Sequence, residues 1–363
     1  MNTTNEIIEL SKKLIFCKST SGNNKELGKA LKIVKKELQE YTLEIFDKNH
    51  SKSLLFYNSK KRPNNFKLIL NGHLDVIPGD REKYIPKISN EKLYGVGVMD
   101  MKASVACLVL AFKNIAKKVN YPLALQLVTD EEAGGDNGTK YQIEQGIRTD
   151  FVISGETTNF KIVNKAKGLL WLKITTRGTS SHSAYPWKGD NAILSMNRFL
   201  TSLYEKYPVP AEEVWKTTVA TSNIETNNNT FNKIPDICTV TLDIRYIPGE
   251  KGAVINNIKK LLPQGHKFEV VSHQSPISVS KNNSYIKRLK SISRKVLLAE
   301  VSLHGAHGTS DVVHYSDVGM VGVEFGPVGT NGNIDDEHVE IPSLIKYYEI
   351  LVDFLLSLDS IKK

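Results

Sequence analysis

The stretch KLILNGHLD, residues 67–75, sets a short apolar run against an Asn-Gly step, a histidine and an aspartate. The run Lys67–Leu70 is too short for a helix and reads as a strand buried on both faces, the kind found in parallel sheets. Two further runs, Leu123–Val128 and Phe151–Ser154, read the same way, and the apolar helical stretch Met101–Ala116 separates the first two. This alternation predicts an α/β fold with a mostly parallel central sheet flanked by helices. Amphipathic helices are expected at residues 24–40, with Leu27, Leu31, Val34 and Leu38 in phase, and at 341–356, with Ile341, Leu344, Tyr348, Leu351 and Leu355 in phase.

From about Lys165 to His273 the pattern changes. Leu170, Leu172 and Ile174 alternate with Trp171, Lys173 and Thr175, and Val240, Leu242, Ile244 and Tyr246 alternate with Thr239, Thr241, Asp243 and Arg245. Such strands are half-exposed and antiparallel in type. With helices at about Asn191–Tyr204 and Gly252–Leu262, the segment predicts an inserted α+β, ferredoxin-like unit. The expected division is residues 1–165 with 275–363 for one discontinuous domain and 166–274 for the insertion. The polar stretch Thr226–Asn232 reads as a loop.

The 363 residues are enough for two domains with separate cores. Hydrophobic residues make up 40%, yet no run approaches the roughly 18 apolar residues of a membrane span. No membrane partner is expected. The N-terminal MNTTNEIIELSKKLIF lacks the pattern of a signal peptide, which predicts a cytoplasmic protein. Cys17, Cys107 and Cys238 are widely spaced and odd in number, so they support neither a disulfide framework nor a thiolate metal site. The net charge of +9 comes from scattered lysines without interleaved aromatics. That predicts a solvated basic surface with no nucleic-acid partner, and it suits a small substrate bearing a carboxylate.

In an open α/β sheet, functional groups gather beyond the carboxyl ends of the strands. Here those ends carry His73 and Asp75, Asp130-Glu131-Glu132, and Glu156, while Asp100 opens the helix at Met101. Singly, each has a plainer reading: a packed histidine, a helix N-cap, solvated charge. Together they form a carboxylate cluster that would repel itself unless protonated or neutralised by a cation. One imidazole with several carboxylates suits zinc, manganese or cobalt, and Asp75 is placed to orient the His73 ring. Gly95-Val-Gly97 lacks the third glycine of a dinucleotide fingerprint, which sets aside a nucleotide-binding oxidoreductase.

Across nearly its whole length the sequence resembles the zinc amidohydrolases that include succinyl-diaminopimelate desuccinylase, acetylornithine deacetylase, aminoacylase and carboxypeptidase G. The segments that carry the resemblance are NGHLDVIP, LYGVGVMDMKAS, VTDEEAGG, SGETTN, TSSHSAYP, FNKIPD with the later LDIR, and HGTSD followed by FGPVG. The resemblance implies hydrolysis of an amide bond in an N-acyl amino acid or short peptide, with one or two zinc ions per chain that cobalt or manganese can replace. It implies that Asp100 bridges two ions, that His73 and Glu156 complete one site, and that Glu132 serves the other. Glu131 would be the general base acting on metal-activated water, and Asp75 would support His73. His182 would reach the active site of a partner chain, which makes the insertion a dimerisation and lid domain and the protein a homodimer. Asn232, Arg245, Gly308, Thr309 and Ser310 resemble substrate contacts.

The sequence also departs from the pattern. The family's metal-binding histidine, four residues before Glu337, is replaced by Asn333, so one of the two ion sites is expected to be weak. Val312 and Val313 stand where many members carry an arginine, and Val96 and Ala103 replace an arginine and a glycine. A non-catalytic binding homologue with a degraded metal site is the competing reading. Glu131 opposes it, since binding alone needs no general base.

Overall fold

The computed structural model describes residues 2–262, 265–330 and 336–360. The chain forms two compact units, one of Met1–Asn164, Ser278–His304 and Ser310–Lys363, the other of Lys165–Ile277 with Gly305–Thr309.

In the first unit the strands Leu123–Val128, Leu68–His73, Val152–Ser154 and Gly322–Glu324 lie side by side in that order, all parallel. All of their residues are buried, the apolar runs together with Asn71, His73, Gln126, Ser154 and Glu324. Antiparallel pairs flank this core. Ser51–Tyr57 runs against Leu123–Val128 and continues through a tight turn into Thr42–Lys48, and Glu324 pairs antiparallel with Val163. The central sheet is therefore mixed, a correction to the mostly parallel sheet read from the sequence. The turn at Asn49-His50 takes positive φ at both residues, 51° and 67°, without a glycine to mark it.

The helix Ala103–Ile115 is buried on nearly every side. It packs against Thr3–Ile15 and Ile341–Ser357, which accounts for a sequence, ASVACLVLAFKNI, that is apolar around the whole helix. Asn24–Glu37 begins where the side chain of Asn23 accepts the amide of Glu26. Cys17, Cys107 and Cys238 are free and buried. Among the described residues no helix is long and apolar enough to cross a membrane.

The second unit follows the order strand, helix, strand, strand, helix, strand. Its sheet places Thr218–Thr226, Ile237–Tyr246, Gly168–Arg177 and Lys267–Gln274 side by side, all antiparallel. One face buries Leu170, Leu172, Ile174, Val240, Leu242 and Ile244 with Met196 and Phe199 of the helix Ala192–Lys206 and Val254 and Ile258 of Lys251–Leu261. The alternate residues, Trp171 among them, face outward, as period-two patterning requires.

Candidate active site

His73 is the last residue of its strand, which runs three residues past the Leu70 end read from the sequence. Its ring is buried, with Nδ1 2.9 Å from the backbone oxygen of Asp75. A carbonyl only accepts, so Nδ1 carries the hydrogen and Nε2 is left to face Asp100 Oδ1 at 2.9 Å. The carboxylates of Glu131 and Glu156 each come to 4.0 Å from the same nitrogen. Ligand atoms of His73, Asp100 and Glu156 all lie within 4.8 Å of one another.

A lone pair facing three carboxylates requires a positive charge. Burial opposes protonation of His73, but the hydrogen bond to Asp100 and the charges of Glu131 and Glu156 outweigh it and hold the ring well above its ordinary pKa. Burial, then the neighbouring acids, push Glu156 and Glu131 well up and Glu132 to about 7. Burial raises Asp100, but its hydrogen bond to His73 and the charge of that ring together outweigh burial and hold it below the usual carboxylate range. Protons thus stand in for a cation, and an imidazole nitrogen with carboxylate oxygens is a donor set that fits a divalent metal.

The supports for these groups are specific. Asp75 orients His73 through its backbone oxygen. Its carboxylate, 3.7 Å from Nδ1, instead accepts the amides of Glu131 and Glu132 at 3.3 and 3.0 Å. It therefore holds the short turn Glu131–Ala133 that presents both acids. Asp100 does not cap the following helix. It lies in the irregular turn Val98–Lys102 with non-helical φ/ψ of −125° and 89°, and the helix starts at Ala103. A Cβ on Gly97, which enters this turn at φ 74°, would lie 2.1 Å from Val76 Cγ1. Gly97→Ala is expected to cost about 1–3 kcal/mol of stability through overpacking alone. Thermal unfolding measures it, and a variant as stable as its parent would show that the turn yields easily.

Other residues singled out in the sequence lie elsewhere. His182, Asn232, Arg245, Gly308 and Thr309 belong to the second unit. His182 is exposed on the short strand Ser181–His182, which pairs with Lys233–Ile234, and the amide of Ser183 donates to the backbone oxygen of Asn232. The Arg245 guanidinium is held two-pronged by Asp243 at 2.8 and 3.1 Å. Thr309 donates to Gln274. Ser310, in the first unit, spends its hydroxyl on the buried Glu324 at 2.7 Å. Asn333 lies outside the described residues.

Three buried carboxylates beside the cluster were missed in the sequence. Asp311 accepts from Thr139 and Asn71, Glu324 accepts from Ser310, and Glu337 accepts backbone amides of the turn bearing Asp100. The segments GTSD and VGVEFGP held the first two, but one acid within an apolar run is an unspecific signal.

Metal-dependent amide hydrolysis is the chemistry such a cluster serves, and comparison with known proteins places the chain in that class. Residues 69–357 match the model of Peptidase family M20/M25/M40, and the chain belongs to that family. It is 30% identical over 316 residues to the succinyl-diaminopimelate desuccinylase of Rickettsia bellii (strain OSU 85-389), covering 78% of this chain and 80% of that protein. It is 28% identical over 387 aligned positions to the desuccinylase of Pelagibacter ubique (strain HTCC1062), covering 98% and 99%. The fold is that of aminopeptidase PepT from Bacillus cereus ATCC 10987, with a TM-score of 0.79 at 17% identity over 97% of this chain and 98% of the other. The M20 metallo-carboxypeptidase Sso-CP2 from Sulfolobus solfataricus gives 0.78 at 18% identity over 98% and 100%. The chain is thus a metal-dependent hydrolase of amide bonds, and the reading as a non-catalytic binding homologue finds no support.

Proposed function

We propose that the chain cleaves the amide bond of an N-acyl amino acid or short peptide, using zinc held by His73, Asp100 and Glu156, with Glu132 and Asp100 offering a second, weaker site. The observation that carries this reading is the convergence of those three ligands on one point, with Glu131 4.0 Å from His73 Nε2. A divalent ion bound there supplies Lewis acidity, which polarises the scissile carbonyl and lowers the pKa of water. Glu131 takes the proton from the attacking water on its carboxylate and passes it to the leaving amine. Asp75 keeps Glu131 and Glu132 in place through their amides and keeps the His73 hydrogen on Nδ1. The names of the relatives favour a succinyl or other acyl amino acid, and those of the structural neighbours a small peptide.

The same reading makes the protein a cytoplasmic homodimer in which His182 of one chain stabilises the oxyanion in the site of the other. The exposure of His182, with Tyr185 and Trp187 also exposed beside it, supports this. Purified protein loaded with zinc, cobalt or manganese is expected to hydrolyse at least one member of a panel of N-acetyl amino acids, N-succinyl amino acids and dipeptides, and to lose that activity to a chelator. Mixing His182→Ala chains with Glu131→Gln chains should restore activity through hybrid dimers. A fully active monomer would end the dimer reading, and a metal-loaded chain inert towards the whole panel would end the substrate reading.

A further inference from the structure

We propose that Glu337 is a positioning residue that fixes Asp100 for the ion by binding the backbone of the turn that carries it. The inference rests on the proposed role of Asp100 as a metal ligand.

The turn offers three amides that no helix can use. The amide of Ala103 bonds back to Val98 and that of Lys102 to Gly97, which leaves the N–H groups of Gly97, Met99 and Asp100 pointing the other way. Glu337 gathers them. Its Oε2 accepts from Gly97 at 2.9 Å, and its Oε1 from Met99 at 2.9 Å and from Asp100 at 3.4 Å. Successive amides converging on one anion make a concave binding site, here filled from within the chain.

Glu337 is itself anchored. It is buried, its backbone oxygen accepts the amide of Gly95 at 3.4 Å, and the strand that follows it, His338–Glu340, pairs antiparallel with Lys92–Tyr94 just before the turn. On the other side of the turn Thr157 donates to the backbone oxygen of Met99 at 2.6 Å, which ties the segment after Glu156 to the same backbone. The buried Lys102 ammonium, held by the backbone oxygen of Cys17 at 2.8 Å, supplies positive charge acting on Glu337. The three contacts fix the backbone of the turn from which Asp100 presents Oδ1 to His73 Nε2.

Glu337→Gln keeps the shape, but it turns one acceptor oxygen into an NH₂ group that faces a backbone N–H. Groups that orient a metal ligand typically control about 10–100-fold in metal affinity. We therefore expect zinc affinity, read by competition with a chelating indicator, to fall by about that factor in Glu337→Gln, while circular dichroism and the unfolding midpoint of the metal-free protein stay near those of the parent. Glu340→Gln, an exposed change on the same segment, should leave affinity unchanged. Asp100→Asn should weaken binding, and adding Glu337→Gln to it should cost little more, because both act through one carboxylate. Parental affinity in folded Glu337→Gln, or full additivity with Asp100→Asn, overturns the proposal alone. Parental affinity in Asp100→Asn overturns it together with the ligand reading beneath it. Should Glu337→Gln fail to fold, hydrogen exchange in the natural chain decides: protected Gly97 and Met99 amides support the proposal, and exchange at the rate of an open loop overturns it.

Discussion

Glu131→Gln is expected to lower kcat by about 10²–10⁴-fold, the usual loss when a positioned general base is removed, with metal content nearly unchanged. The substitution keeps size and shape, and the amide of residue 131 still donates to Asp75, so the turn Glu131–Ala133 retains its anchor. What it removes is a carboxylate whose Oε2 stands 4.0 Å from His73 Nε2, near the ligand atoms without belonging to the tight group of His73, Asp100 and Glu156. Turnover and metal analysis must be read on the same preparation. Metal lost together with activity would make Glu131 a ligand, and a drop of only a few fold would move the proton-transfer role to another group.

The parts of this site legible in the sequence are those in which one residue type does one job at a strand end. His73, Glu131 and Glu156 follow runs that could only be buried strands, and the structure brings them to one point. The alternation from Leu170 to Thr175 likewise allows a single assignment of faces, and the structure keeps it. The illegible parts depend on backbone groups or on distant pairing. Nothing in the spacing of His73 and Asp75 says that the backbone oxygen would orient the ring while the carboxylate served Glu131 and Glu132. The hairpin Thr42–Tyr57 carries no glycine at its turn, so the antiparallel edge that makes the sheet mixed gave no warning. Arg245, a substrate contact by the resemblance, bonds to Asp243 two residues earlier on the same face of its strand, a pairing that the resemblance does not reveal.

The metal-free protein is expected to lose stability as pH rises from about 4.5 to about 7, and Glu324 is the group that isolates the effect. Burial pushes its carboxyl from 4.5 to about 7, against the hydrogen bond from Ser310 and with the negative charge of Asp100 adding to the rise. Between those two values the folded chain holds a proton that the unfolded chain has released. Raising the pH therefore favours unfolding, by about 3 kcal/mol once the window is crossed. Glu132, pushed to about 7, and Asp130, pushed to about 6, have the same sign. Glu324→Gln keeps an oxygen for Ser310 to donate to and never ionises. In chelator-treated samples the stability of this variant relative to the parent should grow across the window by about 3 kcal/mol and then level off. A bound divalent cation offsets the negative charge around Asp100, so adding metal should narrow the gap at pH 8. Chemical denaturation of both chains from pH 4 to 8, with and without metal, reads all of these quantities. A gap that stays constant with pH would mean that Glu324 ionises as freely in the folded chain as in the unfolded one, and that the low-dielectric surroundings inferred for this cluster are open to water.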